Sequence, residues 1–288
     1  MKLRWFMAVL LLACVPAHAQ IGNFLRGLDP NKALDIGKKV VEANKEFSQE
    51  DEIQLGNGLA AGLLGAAPLH KNEQLQRYVN RVGRWIAAHS ERADLPWSFG
   101  VIDKETINAF AMPGGTVMIS YGLLKRLQSE SELAGVLGHE IAHVVQKHQL
   151  KAIQSGAWGD VATAVGTEVV DQKLARTGAA GQAVRLSGVG QKGVELLTNG
   201  FLLKPLDRSL EYEADRMGIV LAARAGYDPY GFVGVLQMLA LVKETDEGGV
   251  LATHPSATER IAELEKFVPA LEKYAGQAVE ARFRQNVK

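Results

Sequence analysis

Between Asn72 and His89 the apolar residues Leu75, Tyr78, Val79, Val82, Trp85 and Ile86 recur at intervals of three and four. That spacing places them on one face of an amphipathic helix. Ser129 to Leu150 repeats the pattern, with Leu133, Val136, Leu137, Ile141, Val144 and Val145 as its stripe. Further helices are predicted over about Asp207 to Ala225 and Asp228 to Val242, and another opening at Pro255, where proline suits a first turn. Upstream, residues 20–69 read as helical scaffold, with Ser48 and Asp51 spaced as a capping box. Trp97 to Ile102 and Thr116 to Ser120 lack the helical period and are β-branched or aromatic runs, separated by the turn Pro113-Gly114-Gly115. Ile107 to Ala111, between them, suits an edge strand. Residues 152–206 are rich in glycine and alanine with weak periodicity and read as a lid-like helical insertion. The fold class is therefore α+β, mainly helical, with one small β-sheet.

Composition narrows the function. The 288 residues are 47% hydrophobic, with 32 basic against 32 acidic side chains, so the chain can bury a large core and is not of the disordered class. Zero formal charge gives no electrostatic footing for nucleic acid, which is not expected as a partner. At the N-terminus Lys2 and Arg4 precede an apolar run from Trp5 to Val15, Pro16 and the triplet Ala17-His18-Ala19, which reads as a secretory signal over residues 1–19. The run falls short of the roughly 20 residues a membrane span needs. Leu11-Leu12-Ala13-Cys14 offers an alternative, a lipoprotein leader with Cys14 acylated. A lone cysteine excludes intrachain disulfides and zinc–thiolate sites.

The chemistry lies in His139-Glu140-Ile141-Ala142-His143, inside the second strongly periodic helix. At about 100° per residue the two histidines project from nearly the same face and can share one metal ion. Glu140, about 100° from His139, is near enough to act on a water at that ion without ligating it. A hydrolytic zinc site needs a third protein ligand and an open position. Gln146 and Gln149 stand where a longer motif would need glycine and histidine, and His148 lies about 140° round the helix from His143. His148 then belongs beside the ligands or at the surface. In Arg208-Ser-Leu-Glu-Tyr-Glu-Ala-Asp-Arg216, Glu211 and Asp215 share a helix face while Glu213 points away. Glu211 is the candidate third ligand, and Asp215 is placed to orient a ligating imidazole through its free N–H. An ordinary charged helix face is the other reading of this segment.

Four ordered blocks resemble a family of zinc metallopeptidases that includes the CaaX prenyl protease, HtpX, the mitochondrial Oma protease and the periplasmic proteins BepA and LoiP. They are Asn108-Ala-Phe-Ala-Met-Pro-Gly-Gly115 leading to Gly122-Leu-Leu124, Gly138-His-Glu-Ile-Ala-His143, Glu211-x-Glu-Ala-Asp215, and His254-Pro255 with Arg260. Together they span residues from about 70 to 265, and the periplasmic branch is the nearest match.

The resemblance implies a gluzincin-like zinc metallopeptidase domain over residues 70–270, followed by a tail at 271–288, with the edge strand beside the active-site helix. It implies one Zn2+ per chain on His139, His143 and Glu211, with Glu140 as the catalytic carboxylate. Asn108, Ala109, Phe110 and Ala111 would pair with an extended substrate through their backbone. His254 and Arg260 match a site-facing catalytic motif. His254 would either stabilise an oxyanion or close the metal as a fourth ligand, unless it only precedes a helix at Pro255. The implied activity is an endopeptidase acting on unfolded or misassembled envelope proteins in the periplasm, near the outer membrane or its assembly machinery. The competing reading is a zinc-containing chaperone or assembly factor with little or latent proteolysis, against which the intact Glu140 argues. The chain departs from the prenyl protease and HtpX in lacking membrane spans, and no helical-repeat domain of the BepA kind is expected after residue 288.

Overall fold

The computed structural model describes residues 47–154, 205–242, 254–271, 274 and 276–288. Both leader readings, the segment before residue 47 and residues 155–204 of the predicted 152–206 insertion lie outside the described residues.

Polar side chains set the helix starts. In α1 (Gln49–Ala66) the Ser48 Oγ accepts from the Asp51 backbone N–H at 3.1 Å and the Asp51 carboxylate accepts in return, which is the capping box the spacing predicts. In α2 (Glu73–Ala87) Asn72 caps through Leu75 N–H at 3.1 Å. Its stripe of Leu75, Tyr78, Val79, Val82 and Ile86 is buried, but Trp85 is 53% exposed. That indole sits at the margin of the stripe, where Nε1 donates to the Ala225 carbonyl at 2.9 Å and the ring meets His89 edge-on.

The sheet has β1 (Ser98–Ile102), β2 (Ala109–Met112) and β3 (Thr116–Ser120) in the order β1-β3-β2. β3 is parallel to β1 and antiparallel to β2, so the predicted edge strand does stand at an edge. Gly114 and Gly115, at φ 79° and 104°, make the tight β2–β3 turn that side chains would resist. Alternation divides the sheet between two clusters. Phe99, Val101, Ala109, Ala111, Val117 and Ile119 join the main core with α2 and with Leu133, Leu137 and Ile141, whereas Phe110, Met112 and Met118 meet Leu55, Leu59 and Leu63 of α1.

After the single turn α3 (Tyr121–Leu124) comes α4 (Glu130–Val145), capped by Ser129 through Glu132 N–H at 3.1 Å. The sequence predicts one helix from Ser129 to Leu150. Instead Lys147 takes φ 55°, which breaks the run and lets α5 (His148–Gln154) set off in a new direction. α6 (Arg208–Arg224), α7 (Tyr230–Ala240) and α8 (Ala257–Glu265) follow, with Ser256 rather than Pro255 capping α8. A 3-10 turn at Val268–Leu271 and α9 (Glu280–Val287) complete the described residues.

The C-terminal segment is part of the same core. Phe283 of α9 is fully buried, and Ser131 N–H donates to the Ala278 carbonyl at 3.1 Å. Buried Glu130, the first residue of α4, accepts from the Tyr78 and Tyr227 hydroxyls at 2.8 Å each and from Arg282. Burial alone would raise its pKa, but Arg282 and the two phenols outweigh it and hold the carboxyl below the usual range. At the other end of α4, Glu52 takes Arg92 in a bidentate pair at 2.8 Å twice and Gly114 N–H at 3.0 Å, while Arg92 donates to the Val144 carbonyl at 3.1 Å. Both ends of α4 are thus fastened through buried carboxylates. Among the described residues no helix is long and apolar enough to cross a membrane.

Candidate metal centre

The site is made where α4 and α6 touch backbone to backbone. A β-carbon on Gly138 would lie 2.6 Å from the Gly218 carbonyl oxygen, and one on Gly218 would lie 2.6 Å from the His139 nitrogen. Glycine costs a helix interior about 0.5–1 kcal/mol relative to alanine, so two of them facing each other mark a crossing that needs their missing side chains. The close approach brings the first two turns of α6 against His139 and His143.

Four donors converge there. His139 Nε2 and His143 Nε2 are 3.0 Å apart, Glu211 lies 3.7 Å from each, and His254 Nε2 is 3.3 Å from Glu211 Oε2. All four ligand atoms fall within 4.8 Å of one another. A tetrahedral ion held at about 2.0–2.1 Å separates its ligands by roughly 3.3 Å, so the observed spacings bracket what such an ion requires. Chemistry points the same way. Glu211 is 1% exposed and its Oε2 is buried without a hydrogen-bond partner, while burial pushes its carboxyl up to about 8. Burial also lowers the pKa of both His139 and His143, keeping the imidazoles neutral with lone pairs to offer. Two neutral nitrogens and an orphaned carboxylate oxygen in a buried pocket form a set that a cation completes.

The surroundings fix the aim of His139. Its Nδ1 donates to Asp215 Oδ1 at 2.8 Å, which leaves the Nε2 lone pair facing the cluster. Asp215 is itself held by buried Arg260, Nε to Oδ2 at 2.9 Å and Nη2 to Oδ1 at 2.6 Å. Burial opposes ionisation of Asp215, yet Arg260 and then His139 hold its carboxyl well below the ordinary range. The structure therefore commits the Arg260 guanidinium to Asp215. Phe232 of α7 walls the pocket, stacked on His139 at 5.6 Å and lying under Arg260 at 5.5 Å. Glu140 is 6% exposed, and burial pushes its carboxyl up to about 8.

Asn108 to Ala111 run along the open side of the sheet, with β2 packed on α4. The Asn108 carbonyl accepts from the Ser120 N–H at 2.9 Å and the Asn108 N–H donates to the Ser120 Oγ at 3.1 Å, so the alternation turns the peptide groups of Ala109 and Ala111 away from β3. Ala109 N–H donates to the Asn108 side chain at 2.9 Å, and Gln149 Nε2 of α5 reaches the Ala111 carbonyl at 3.4 Å. Sequence reasoning missed Phe232 and set Glu213 aside as pointing away, whereas His148 lies beside the ligands, one of the two places its spacing allows, with a tie to His143 that the spacing does not signal. Gly138 and Gly218, each inside a helix, are the one sequence feature that could have marked the crossing.

Residues 70–268 match peptidase family M48. The chain is 32% identical over 254 residues to the beta-barrel assembly-enhancing protease of Yersinia pestis, covering 84% of this chain and 49% of that protein. It is 30% identical over 226 residues to the protein of that name from Escherichia coli, covering 77% and 44% respectively. Against the mitochondrial metalloendopeptidase OMA1 of Schizosaccharomyces pombe it is 34% identical over 200 residues, covering 67% and 52%. The chain thus spans about half the length of these curated relatives. A match over most of the sequence, together with a mainly helical α+β domain of gluzincin type built round the His139-to-His143 helix, shows that the chain belongs to peptidase family M48.

Proposed function

We propose that the protein is a zinc-dependent endopeptidase that cleaves unfolded or misassembled envelope proteins, with its peptidase domain over residues 70–270. The observation that carries this reading is the convergence of His139, His143 and Glu211 on one point, with Glu140 a single residue along the same helix. Imidazole and carboxylate donors at these spacings suit zinc. When bound, zinc supplies a Lewis acid and lowers the pKa of coordinated water toward neutrality.

The protein's own residues do the rest. Burial strengthens the Glu140 carboxylate as a proton acceptor, so it takes the proton of the attacking water and returns it to the leaving amine. Arg260 acts through Asp215, which keeps the His139 ring turned to the cluster. His254, 3.3 Å from Glu211, closes the cluster at rest and must withdraw for water and substrate to enter. The outward peptide groups of Ala109 and Ala111, flanked by Asn108 and Phe110, receive an extended segment by strand pairing once the Asn108 and Gln149 side chains let go. Pairing of that kind reads backbone, so side-chain preference is loose.

The name borne by the bacterial relatives, together with the leader pattern, supports a periplasmic location and outer-membrane β-barrel proteins as substrates or partners. Acylation of Cys14 would add an outer-membrane anchor, and intact-mass measurement of the mature protein separates it from cleavage after Ala19. The deciding experiment compares zinc content and casein cleavage of wild type and Glu140→Gln. We expect about one zinc in each and cleavage by the wild type alone. Equal cleavage by the variant would remove Glu140 from the reaction, and a wild type that holds no zinc would overturn the site.

A further inference from the structure

We propose that His148 and Glu213 form a second orienting arm, which fixes the tautomer and aim of His143 as Asp215 fixes those of His139. The proposal rests on the reading of His143 as a metal ligand. His148 is fully buried, and its Nδ1 lies 3.0 Å from His143 Nδ1. On its far side His148 Nε2 faces Glu213 Oε2 at 3.6 Å and has no nearer hydrogen-bond partner among the described residues.

Only one arrangement of protons satisfies this line of atoms. His143 Nε2 points at the cluster, 3.0 Å from His139 Nε2, so a ligating His143 keeps its lone pair there and its proton on Nδ1. That Nδ1–H donates to His148 Nδ1, which must therefore be the bare nitrogen of a neutral ring. The His148 proton then sits on Nε2, aimed at the Glu213 carboxylate. A carboxylate polarising an imidazole that in turn receives the ligand's N–H raises ligand basicity and holds its ring, the service a single carboxylate performs for His139. The gap of 3.6 Å exceeds a normal N–H···O distance of about 2.7–3.2 Å, so metal binding should draw Glu213 inward by a few tenths of an ångström.

The break after α4 makes this geometry. On a continuous helix His148 would stand about 140° from His143. The left-handed Lys147 turns the chain so that the first residue of α5 folds back onto the ring. Glu213 comes from the flank of α6 away from Glu211, which explains why a carboxylate unsuited to ligation lies inside the second turn of that helix.

The test is zinc affinity of the metal-free, full-length chain by competition with a chromophoric chelator, with the melting temperature of the metal-free protein read alongside. His148→Phe keeps the ring volume and should weaken zinc binding about ten- to a hundredfold. His148→Asn, whose Oδ1 takes the place of Nδ1, should recover most of that loss. Glu213→Gln should weaken binding a few-fold in the wild-type background and have no further effect when combined with His148→Phe. A role in packing alone would lower the melting temperature without this order of affinities. Binding by His148→Phe within about twofold of wild type, or equal effects of Glu213→Gln in both backgrounds, overturns the arm. Should His148→Phe fail to fold, wild-type affinity in Glu213→Gln, a half-exposed position, overturns it instead. A wild type that binds no zinc is a separate result and removes the metal site itself.

Discussion

Replacing Gly218 with alanine adds one methyl group at the point where the two site helices touch. The new carbon would lie 2.6 Å from the His139 nitrogen, 2.8 Å from its α-carbon and 2.9 Å from the Gly138 carbonyl carbon, whereas ordinary contact begins at 3.4 Å. These are backbone atoms and cannot rotate aside, so α6 must retreat by about 0.8 Å or the strain stays in place. If it retreats, the 3.7 Å between His139 and Glu211 opens toward about 4.5 Å, well beyond the roughly 3.3 Å that two ligands of a tetrahedral ion share. If it does not, overpacking costs about 1–3 kcal/mol, opposed by the ~0.5–1 kcal/mol that alanine gains in a helix. We expect a lower midpoint of urea unfolding for the metal-free protein and zinc affinity reduced about tenfold or more, equivalent to ~1.4 kcal/mol. Gly234→Ala in α7 is the control, since its β-carbon would meet only the Glu132 carboxylate at 3.7 Å. Urea unfolding and chelator competition on both variants decide the matter. If Gly218→Ala matched Gly234→Ala in stability and in zinc affinity, the close crossing would not be what sets the site.

Arg92→Ala leaves the buried Glu52 carboxylate with only the Gly114 N–H and Lys147 at 3.9 Å and releases the end of α4, and should cost about 3 kcal/mol in urea unfolding. Glu130 has a lowered folded pKa, so its contribution is fully present above the ordinary glutamate value of about 4.3 and is lost as pH falls below that through the folded value. Unfolding free energies measured from pH 7 down to about 3 should therefore fall less steeply in Glu130→Gln than in wild type; parallel curves would count against ionised Glu130. Gln149→Ala releases the Ala111 carbonyl on the sheet edge and should lower KM for an extended peptide while leaving zinc content unchanged. An unaltered KM would mean that this carbonyl does not receive substrate.

Short-range features were legible in the chain. The capping box at Ser48 and Asp51, the buried stripe of α2 and the strand alternation depend on neighbours within about four residues, and each stands where its spacing places it. Helix ends are less legible, because the stop at Lys147 is made by one left-handed residue with no glycine or proline to mark it. Trp85 escaped for a related reason, since its indole bond to Ala225 joins residues far apart in sequence.

The site divides the same way. Helical periodicity is a local property, and it suffices to put His139 and His143 on one helix face, Glu211 and Asp215 on another, and a carboxylate beside the first histidine. That these faces meet is a matter of packing between distant segments. Packing sets Gly138 against Gly218, Arg260 on Asp215, Phe232 on the pocket wall and His148 on His143. Those pairings join segments brought together by burial of a common core, and no spacing along the chain encodes which side chain will fill a given gap between them.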